Sequence, residues 1–444
     1  MHQSVGVAVV AGLVVAYALV SRRLEGTAVT APMIFVAAGV LLSDGVTNLV
    51  DVAPASEPLR VLAELTLVIV LFSDAARIDL RTLHRYRHFP VRLLALGLPG
   101  AIVVGTVAGV LVLDLDLWPA ALLAAVLAPT DAALGQAVVS DPRVPVRIRQ
   151  GLNVESGLND GLAVPFVTLF IALSLEEEEV PGAPYWVRFV LEQIGYGLIV
   201  GIIVGVGGAW LVEWASRKDW ISPQFRRLAV VALALLAYAA ASAVGGGGFV
   251  AAFAAGMCFG NLARSHSDGI YEFAEEEGQL LSLLTFLVFG GIAVGQTVGD
   301  IDWRIVVYMV LSLTVVRMVP VALSVGGLGF QRATKLYVGW FGPRGLASII
   351  FGLLVLEEAG AAPFAQEVTL VATWTVAASV LLHGLTAAPL TAWYATHSER
   401  LAAEAPDMAE MQPVAELPVR GRHRAGPRPE RGGMPETGDE PHTM

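Results

Sequence analysis

The sequence predicts an all-α polytopic membrane protein, and three observations support this fold class. Only 15% of the 444 residues are charged and 55% are hydrophobic, whereas soluble globular domains carry about 25% charged residues. The apolar residues gather in runs that can cross a bilayer as helices, which takes about 20 residues each. Basic residues are concentrated in every second loop between these runs, as expected when successive helices cross the membrane in opposite directions.

The apolar runs predict about 13 transmembrane helices. The first run is preceded by no basic segment and is followed by Arg22 and Arg23, which favours a membrane helix over a cleaved signal peptide. The shortest run, at 247–262, begins within a stretch of four glycines. The predicted helices lie at 4–21, 27–43, 59–78, 90–114, 117–140, 152–175, 190–215, 228–244, 247–262, 279–296, 303–329, 335–357 and 365–394.

The alternation of basic loops predicts the orientation of the chain. By the positive-inside rule, the loops rich in Lys and Arg face the cytoplasm. The N-terminus is then outside and the C-terminus inside, as an odd number of helices requires, in a multi-pass protein of the plasma membrane. The basic loops lie at 22–23, 77–92, 143–149, 217–227, 264 and 332–335.

Composition also predicts the domain organisation. Residues 1–396 are expected to form the transmembrane domain. Residues 397–444 are rich in Pro, Glu, Arg and Gly, which predicts a disordered cytoplasmic tail. The net charge of −11 does not fit a nucleic-acid partner, and the single cysteine, Cys258, excludes an intramolecular disulfide. We expect no resident cofactor.

Two of the predicted helices are interrupted. Pro129 breaks the helix at 117–140, and the sequence Gly-Pro-Arg-Gly at 342–345 breaks the helix at 335–357. The two breaks fall at equivalent positions if two inverted six-helix repeats flank the seventh helix. Paired interruptions of this kind are typical of transporter binding sites, where unwound backbone faces the substrate. The alternative is that each proline only shapes helix packing.

Three carboxylates, Asp131, Glu155 and Asp160, lie close together in otherwise apolar chain. A charged side chain in the bilayer is costly unless it is paired, protonated or bound to an ion. At about 100° per residue, Ser156 and Asp160 share one face of a helix. We expect this face to meet Thr130 and Asp131 and to form an oxygen-rich site for Na⁺, since hard cations prefer oxygen ligands. No cluster of His or Cys suggests a transition metal.

Two arginines are also predicted to be buried. Arg317 lies in the middle of a predicted helix, and Glu155 is the expected bidentate partner of its guanidinium, with Asn159 completing the hydrogen bonds. Arg344 lies in the second break and could offset either Asp131 or the carbonyl ends of the crossing helices. We interpret Asn159, Arg317 and Arg344 as structural.

Asp160, assisted by Asp131, is the residue predicted to exchange ions. A buried carboxylate can hold a proton or a cation but not both, and this competition combined with alternating access is sufficient for antiport. An intramembrane aspartyl protease would use both aspartates as a dyad, but the sequence lacks a Gly-x-Gly-Asp motif and Arg317 would have no role. A gated channel is a third possibility.

These residues resemble the cation:proton antiporter superfamily, in its NhaP-type (sodium/hydrogen exchanger) branch. The resemblance extends over about residues 5–395 and includes Leu71-Phe72, between Glu64 and Arg77, and residues 248–253 with Gly256. The motifs that carry it are Ala-Pro-Thr-Asp at 128–131, Glu-Ser-Gly-Leu-Asn-Asp-Gly at 155–161, Arg317 and Gly-Pro-Arg-Gly at 342–345.

The resemblance implies a homodimer in the lipid bilayer. A dimerisation domain would hold a mobile core that contains the crossed broken helices and moves like an elevator. The resemblance also implies exchange of Na⁺ or Li⁺ for H⁺ in pH homeostasis, with K⁺/H⁺ exchange as the alternative. Because Asn159 rather than Asp precedes Asp160, it implies electroneutral 1:1 exchange. The family's ligands carry over onto Thr130, Asp131, Glu155, Ser156 and Asp160, and its stabilising ion pair onto Glu155 and Arg317.

One histidine, His383, lies within the last predicted helix. Its side chain could sense pH, because the imidazole is the group that titrates near neutrality. The alternative is a neutral histidine that makes hydrogen bonds between helices, and this is the interpretation we favour.

Overall fold

The structure, a computed structural model, consists of helices joined by turns and loops, and the described residues contain no β-strand. The described residues are 2–24, 27–43, 57–81, 88–131, 134–175, 188, 191–263, 270–360, 362–404, 408–412 and 414. The helices are α1 His2–Leu24, α2 Ala31–Leu42, α3 Glu57–Arg77, α4 His88–Leu113, α5 Leu117–Val126, α6 Gln136–Ser140, α7 Val146–Leu175, α8 Leu191–Arg217, α9 Pro223–Ala243, α10 Gly248–Leu262, α11 Ile270–Val288, α12 Trp303–Ser324, α13 Arg332–Trp340, α14 Leu346–Ala359 and α15 Pro363–Glu404.

Each of the 13 predicted membrane helices corresponds to one helix or to one broken pair of helices. In the described part of the chain, 6 helices are long and apolar enough to cross a membrane, namely α4, α7, α8, α9, α12 and α15. Shorter apolar segments include α2, α5 and α10. The predicted all-α polytopic fold is therefore confirmed.

Both predicted breaks are present. α5 ends at Val126, because Pro129 has no N–H to donate and disfavours helical backbone at the residue before it. The chain resumes as the short α6, so that α5 and α6 together form one crossing. α13 ends at Trp340 and α14 begins at Leu346, with the non-helical residues 341–345 between them. We call residues 127–131 the first break and residues 341–345 the second break.

The helices pack in two groups. The scaffold group consists of α1–α3 and α8–α11, and the crossing group consists of α4–α7 and α12–α15. In the scaffold group, α8 and α10 approach closely, because a Cβ at Gly201 would lie 2.5 Å from the carbonyl oxygen of Ala251. Small residues at such contacts are typical of membrane helices. The two groups meet mainly where α3 and α10 pack against α7, and where α3 packs against α14.

The last helix extends past residue 397, where the predicted tail begins. α15 continues to Glu404, and a 3₁₀ turn follows at Ala409–Met411. The side chain of Glu410 is only 2% exposed, and its Oε1 accepts hydrogen bonds from Gln331 N (2.7 Å) and Thr334 Oγ1 (3.0 Å) at the start of α13. Composition missed this contact because it depends on one acidic residue in a polar segment. Residues 415–444 of the predicted tail lie outside the described residues.

Candidate ion-binding site

The two breaks cross each other in the middle of the crossing group. The backbone N–H of Asp131 donates to the carbonyl oxygen of Pro343 across a distance of 2.8 Å. This hydrogen bond links the first break to the second break directly. The crossed broken helices that the family resemblance implies are therefore present.

Asp131 and Arg344 compensate the helix ends at this crossing. The Oδ2 atom of Asp131 accepts a hydrogen bond from Leu346 N (3.0 Å) at the N-terminus of α14. The guanidinium of Arg344 donates to the carbonyl oxygens of Ala128 (2.6 Å) and Pro129 (3.3 Å), beyond the C-terminus of α5. A carboxylate at a helix N-terminus and a cation at a C-terminus are both stabilised by the helix dipole. Of the two roles predicted for Arg344, the structure therefore places its charge on the carbonyl ends.

The predicted ion pair between Glu155 and Arg317 is present and bidentate. Arg317 Nη1 lies 2.5 Å from Glu155 Oε1, and Nη2 lies 2.9 Å from Oε2. Each side chain is only 3% exposed. The pair packs against the second break, since a Cβ at Gly342 would overlap the Nε atom of Arg317. Both carboxylate oxygens of Glu155 thus accept from Arg317, and the direct ion ligation by Glu155 that the family resemblance implies stays a prediction.

Thr130 connects α7 to the first break. Ser156 Oγ donates to the carbonyl oxygen of Thr130 (2.6 Å), and Asn159 Nδ2 donates to Thr130 Oγ1 (2.7 Å). Asn159 was expected to complete the hydrogen bonds of Arg317, but the structure places its amide on Thr130. Helical phase could not separate the two alternatives, because Asn159 lies between Glu155 and Ser156 around the helix, about 40° from one and about 60° from the other.

Asp160 lies on the side of α7 where the two helix groups meet. Its side chain is 9% exposed and lies about 40° around the helix from Ser156. The adjoining face of α7 carries Gly157, where a Cβ would lie 3.6 Å from Cδ1 of Ile78, the residue that follows α3. At Gly161, on the same face, a Cβ would overlap the ring of Phe253 of α10. Asp160 is thus between the Thr130 contact and the scaffold group.

The structure therefore brings all of the predicted site residues into one buried region. Thr130, Asp131, Ser156 and Asn159 are linked through the first break, and Glu155 joins them through α7. Sequence reasoning missed the backbone N–H of Leu346 as the partner of Asp131, and Ser379 of α15 as the partner of Arg344 N (2.6 Å). Ser379 lies four residues before His383 and therefore on the same face of α15. This spacing was the one signal in the sequence that could have pointed to Ser379.

Outside the membrane helices, the side chain of Asp141 has a shifted pKa. Asp141 lies in the loop between α6 and α7, and Arg143 Nη2 is 2.7 Å from its Oδ2. Hydrogen bonds from Arg143 hold the pKa of Asp141 below its usual value, although partial burial acts in the opposite direction. The loop is one of those predicted to face the cytoplasm.

Comparisons with known proteins agree with this architecture. Residues 9–393 match the family model described as sodium/hydrogen exchanger, transmembrane. The sodium proton antiporter MjNhaP1 from Methanocaldococcus jannaschii, a solved structure, superposes with a TM-score of 0.70 at 17% sequence identity, covering 89% of this chain and 100% of that chain. At that identity the superposition shows a shared fold.

Curated relatives are antiporters by name. A Na(+)/H(+) antiporter from Schizosaccharomyces pombe is 28% identical over 285 residues, covering 61% of each protein. A K(+)/H(+) antiporter NhaP2 from Shewanella sp. (strain MR-4) is 25% identical over 361 residues, covering 79% of this chain and 60% of that protein. The chain thus spans less than two thirds of the length of these relatives. Because the family model matches nearly the whole helical region, the chain belongs to the transmembrane sodium/hydrogen exchanger family.

Proposed function

We propose that this protein is a secondary transporter, not an enzyme, that exchanges Na⁺ or Li⁺ for H⁺ across the plasma membrane. The cation site consists of Asp160 and Asp131 with oxygen atoms of Thr130 and Ser156. The family assignment and the antiporter names of the relatives support the reaction class. The observation that carries the proposal is the set of buried oxygen atoms around the crossing of the two breaks.

The balance of buried charge around the crossing supports a stoichiometry of one cation for one proton. Three carboxylates, Asp131, Glu155 and Asp160, lie there with two guanidinium groups, Arg317 and Arg344, and all five side chains are at most 9% exposed. With every group ionised, the region carries one net negative charge. Burying an uncompensated charge is strongly unfavourable. One monovalent cation or one proton restores neutrality, and both together would leave one positive charge.

The kinds of ligand favour a monovalent cation. Asp131 and Asp160 are the carboxylates that remain once Glu155 is paired with Arg317, and neutral hydroxyl and carbonyl oxygens complete the set. Among the described residues, no group of three or more His, Cys, Asp or Glu side chains could hold a metal ion. Two carboxylates with neutral oxygens suit a hard ion of low charge.

The exchanged ions are assigned to Asp160 because of its position between the two helix groups. It lies where α7 meets the scaffold group, so a displacement of the crossing group relative to the scaffold group would change which side of the membrane reaches it. Such a displacement is the elevator-like movement expected for a homodimer whose scaffold groups form the contact between protomers. The basic loops orient the protein with its N-terminus outside and its C-terminus in the cytoplasm.

The proposal is tested in proteoliposomes that contain the purified protein and a preset pH gradient. Added Na⁺ is expected to collapse the gradient, and Asp160→Asn is expected to abolish this response. Asp219→Asn is the matched control, because Asp219 is an exposed carboxylate in the loop between α8 and α9. Exchange that persists at the normal rate in Asp160→Asn would contradict the assignment of the site.

Exchange of K⁺ for H⁺ is the second candidate. It is favoured by the matched relatives from Shewanella, which are named K(+)/H(+) antiporters. The same liposomes decide between the two ions when Na⁺, Li⁺ and K⁺ are added in turn at equal ionic strength. A response to K⁺ with none to Na⁺ would replace the first candidate with the second. An aspartyl protease has less support, because the carboxylate of Asp131 accepts a hydrogen bond from the N-terminus of α14, whereas a protease dyad would pair it with Asp160.

A further inference from the structure

The second break is held in place by two side chains of α15. The backbone N–H of Arg344 donates to Ser379 Oγ (2.6 Å), and His383 Nε2 lies 3.0 Å from the carbonyl oxygen of Trp340. Trp340 is the last residue of α13, and Arg344 lies two residues before α14 begins. Backbone groups at helix ends lack partners within the helix. Ser379 and His383 therefore supply partners on both sides of the second break.

The hydrogen bonds of His383 suit a neutral imidazole that donates from Nε2. The carbonyl oxygen of Trp340 can only accept, so Nε2 of His383 carries a proton and donates it. Nδ1 lies 3.1 Å from both the hydroxyl and the carbonyl oxygen of Ser379, and in a neutral ring it accepts from the hydroxyl. The Ser379 oxygen in turn accepts from Arg344 N. This directed chain gives each of these atoms a partner and adds no charge beside the two buried arginines.

Packing reinforces the hydrogen bonds. The rings of His383 and Trp340 stack, with 5.0 Å between their centroids. Trp340 Nε1 also donates to Thr386 Oγ1 of α15 (3.0 Å). Ser379 is 0% exposed and His383 is 1% exposed. Because water cannot replace a lost bond at such a site, removing the hydroxyl of Ser379 takes away the acceptor of Arg344 N, and removing His383 leaves Trp340 O with only its hydrogen bond from Gly342 N (2.8 Å).

The second break determines where the ion ligands lie. The guanidinium of Arg344 holds the carbonyl oxygens of Ala128 and Pro129, directly before Thr130. Pro343 O accepts from the backbone of Asp131. A shift of the second break would therefore move Thr130 and Asp131, although Ser379 and His383 touch neither of them in any hydrogen bond described above.

We propose that Ser379 and His383 are positioning residues of the cation site. By fixing the second break, they place Thr130 and Asp131 at ligand distance from the bound ion through Arg344 and Pro343. Their role is to set cation affinity, and His383 does this as a neutral hydrogen-bonding group rather than as a proton carrier. This inference rests on the proposed function.

Two substitutions of His383 distinguish the contribution of its hydrogen bonds from that of its aromatic ring. His383→Phe keeps an aromatic ring beside Trp340 and removes both nitrogen atoms. His383→Gln keeps one donor and one acceptor and removes the ring and its titration. We expect His383→Phe to raise the apparent KM for Na⁺ about tenfold with a maximal rate within about twofold of the wild type. His383→Gln is expected to return the KM to within about threefold of the wild type and to leave the pH profile of exchange unchanged.

The experiment uses the full chain in proteoliposomes, with rates normalised to protein that elutes as a single species in size-exclusion chromatography. Na⁺ is the probe, and K⁺ is measured in parallel. His397→Phe is the matched control, because His397 also lies in α15 and stacks on an aromatic ring, that of Trp393, away from the break. If His383→Phe does not fold, Ser379→Ala replaces it, with the same rise in KM expected.

Three results would overturn the inference. They are an unchanged KM in the folded variant, a His383→Gln protein as impaired as His383→Phe, and a pH profile displaced by His383→Gln. Each of these outcomes leaves the proposed function standing as long as Asp160→Asn abolishes exchange. Failure of the proposed function is instead recognised by normal exchange in Asp160→Asn, whatever the His383 variants do.

Discussion

The Glu155–Arg317 pair allows the energetics of the site to be tested without measuring transport. Replacing Glu155 with Leu removes the carboxylate and leaves the guanidinium of Arg317 buried at 3% exposure. Breaking one partner of a buried pair costs about 3–5 kcal/mol, whereas replacing both partners with apolar side chains is often nearly neutral. The double variant Glu155→Leu/Arg317→Met is therefore expected to be more stable than either single variant.

The geometry of the pair supports a loss in the middle of that range. Two hydrogen bonds join the partners, and the guanidinium packs against Gly342 in the second break. We expect the single variant to lose about 4 kcal/mol, which for a chain of this size lowers Tm by on the order of 5 °C. The double variant is expected to recover at least about 2 kcal/mol of that loss as a coupling energy.

The assay is thermal unfolding of the purified protein in detergent, for the wild type, both single variants and the double variant. Detergent, pH and salt are held constant, because Tm depends on each of them. If the decrease in Tm of the double variant equals the sum of the decreases of the two single variants, the reasoning is refuted, since the two side chains would then not interact. Single variants with an unchanged Tm would refute it as well.

Three further predictions concern other parts of the molecule. Gly345→Ala should abolish exchange, because a Cβ there would overlap the carboxyl group of Asp131; exchange is measured in proteoliposomes. Asp141→Asn should destabilise the protein by up to about 1 kcal/mol at neutral pH. Since the folded pKa of Asp141 is lowered, this difference should vanish as the pH falls through that pKa, as measured by Tm against pH. Glu410→Ala should lower stability by about 1–2 kcal/mol in thermal unfolding, because Gln331 N and Thr334 lose their acceptor.

Two of these predictions, for Gly345 and Glu410, have a control in the same chain. Gly207→Ala should be neutral, because a Cβ at Gly207 would meet nothing within 4 Å. Glu399→Ala changes an exposed acidic residue of α15 and should leave Tm unchanged. Normal exchange in Gly345→Ala, a difference for Asp141→Asn that persists below the lowered pKa, or a Glu410→Ala protein as stable as Glu399→Ala would each contradict the corresponding argument.

The sequence was sufficient for the fold because the bilayer restricts the choices. A spanning segment must satisfy its own backbone hydrogen bonds, so that length, hydropathy and basic loops locate the helices. The Glu155–Arg317 pair was predictable for a similar reason, since a guanidinium in the middle of an apolar helix requires a carboxylate. Helix ends beyond the membrane are not restricted in this way. The extension of α15 to Glu404 and the docking of Glu410 therefore required the structure.

Within the site, the sequence could not determine which of two possible hydrogen-bond partners a side chain reaches. Asn159 could reach either Arg317 or Thr130, because the two directions differ by a fraction of a helical turn. Arg344 could compensate either Asp131 or the carbonyl ends, because both lie in the first break within four residues of each other. Ser379 carries no distinguishing motif, since a serine in an apolar helix most often donates to its own backbone. Only the crossing geometry shows that it holds Arg344.

The central claim is that a cation and a proton compete for Asp160, and proton release on cation binding tests it most directly. The purified protein is placed in weakly buffered detergent solution with a pH indicator, and Na⁺ is added. In the pH range where exchange is active, we predict that up to one proton is released for each Na⁺ bound, and that Asp160→Asn releases none. Na⁺ binding without proton release, or equal release from Asp160→Asn, would contradict the claim.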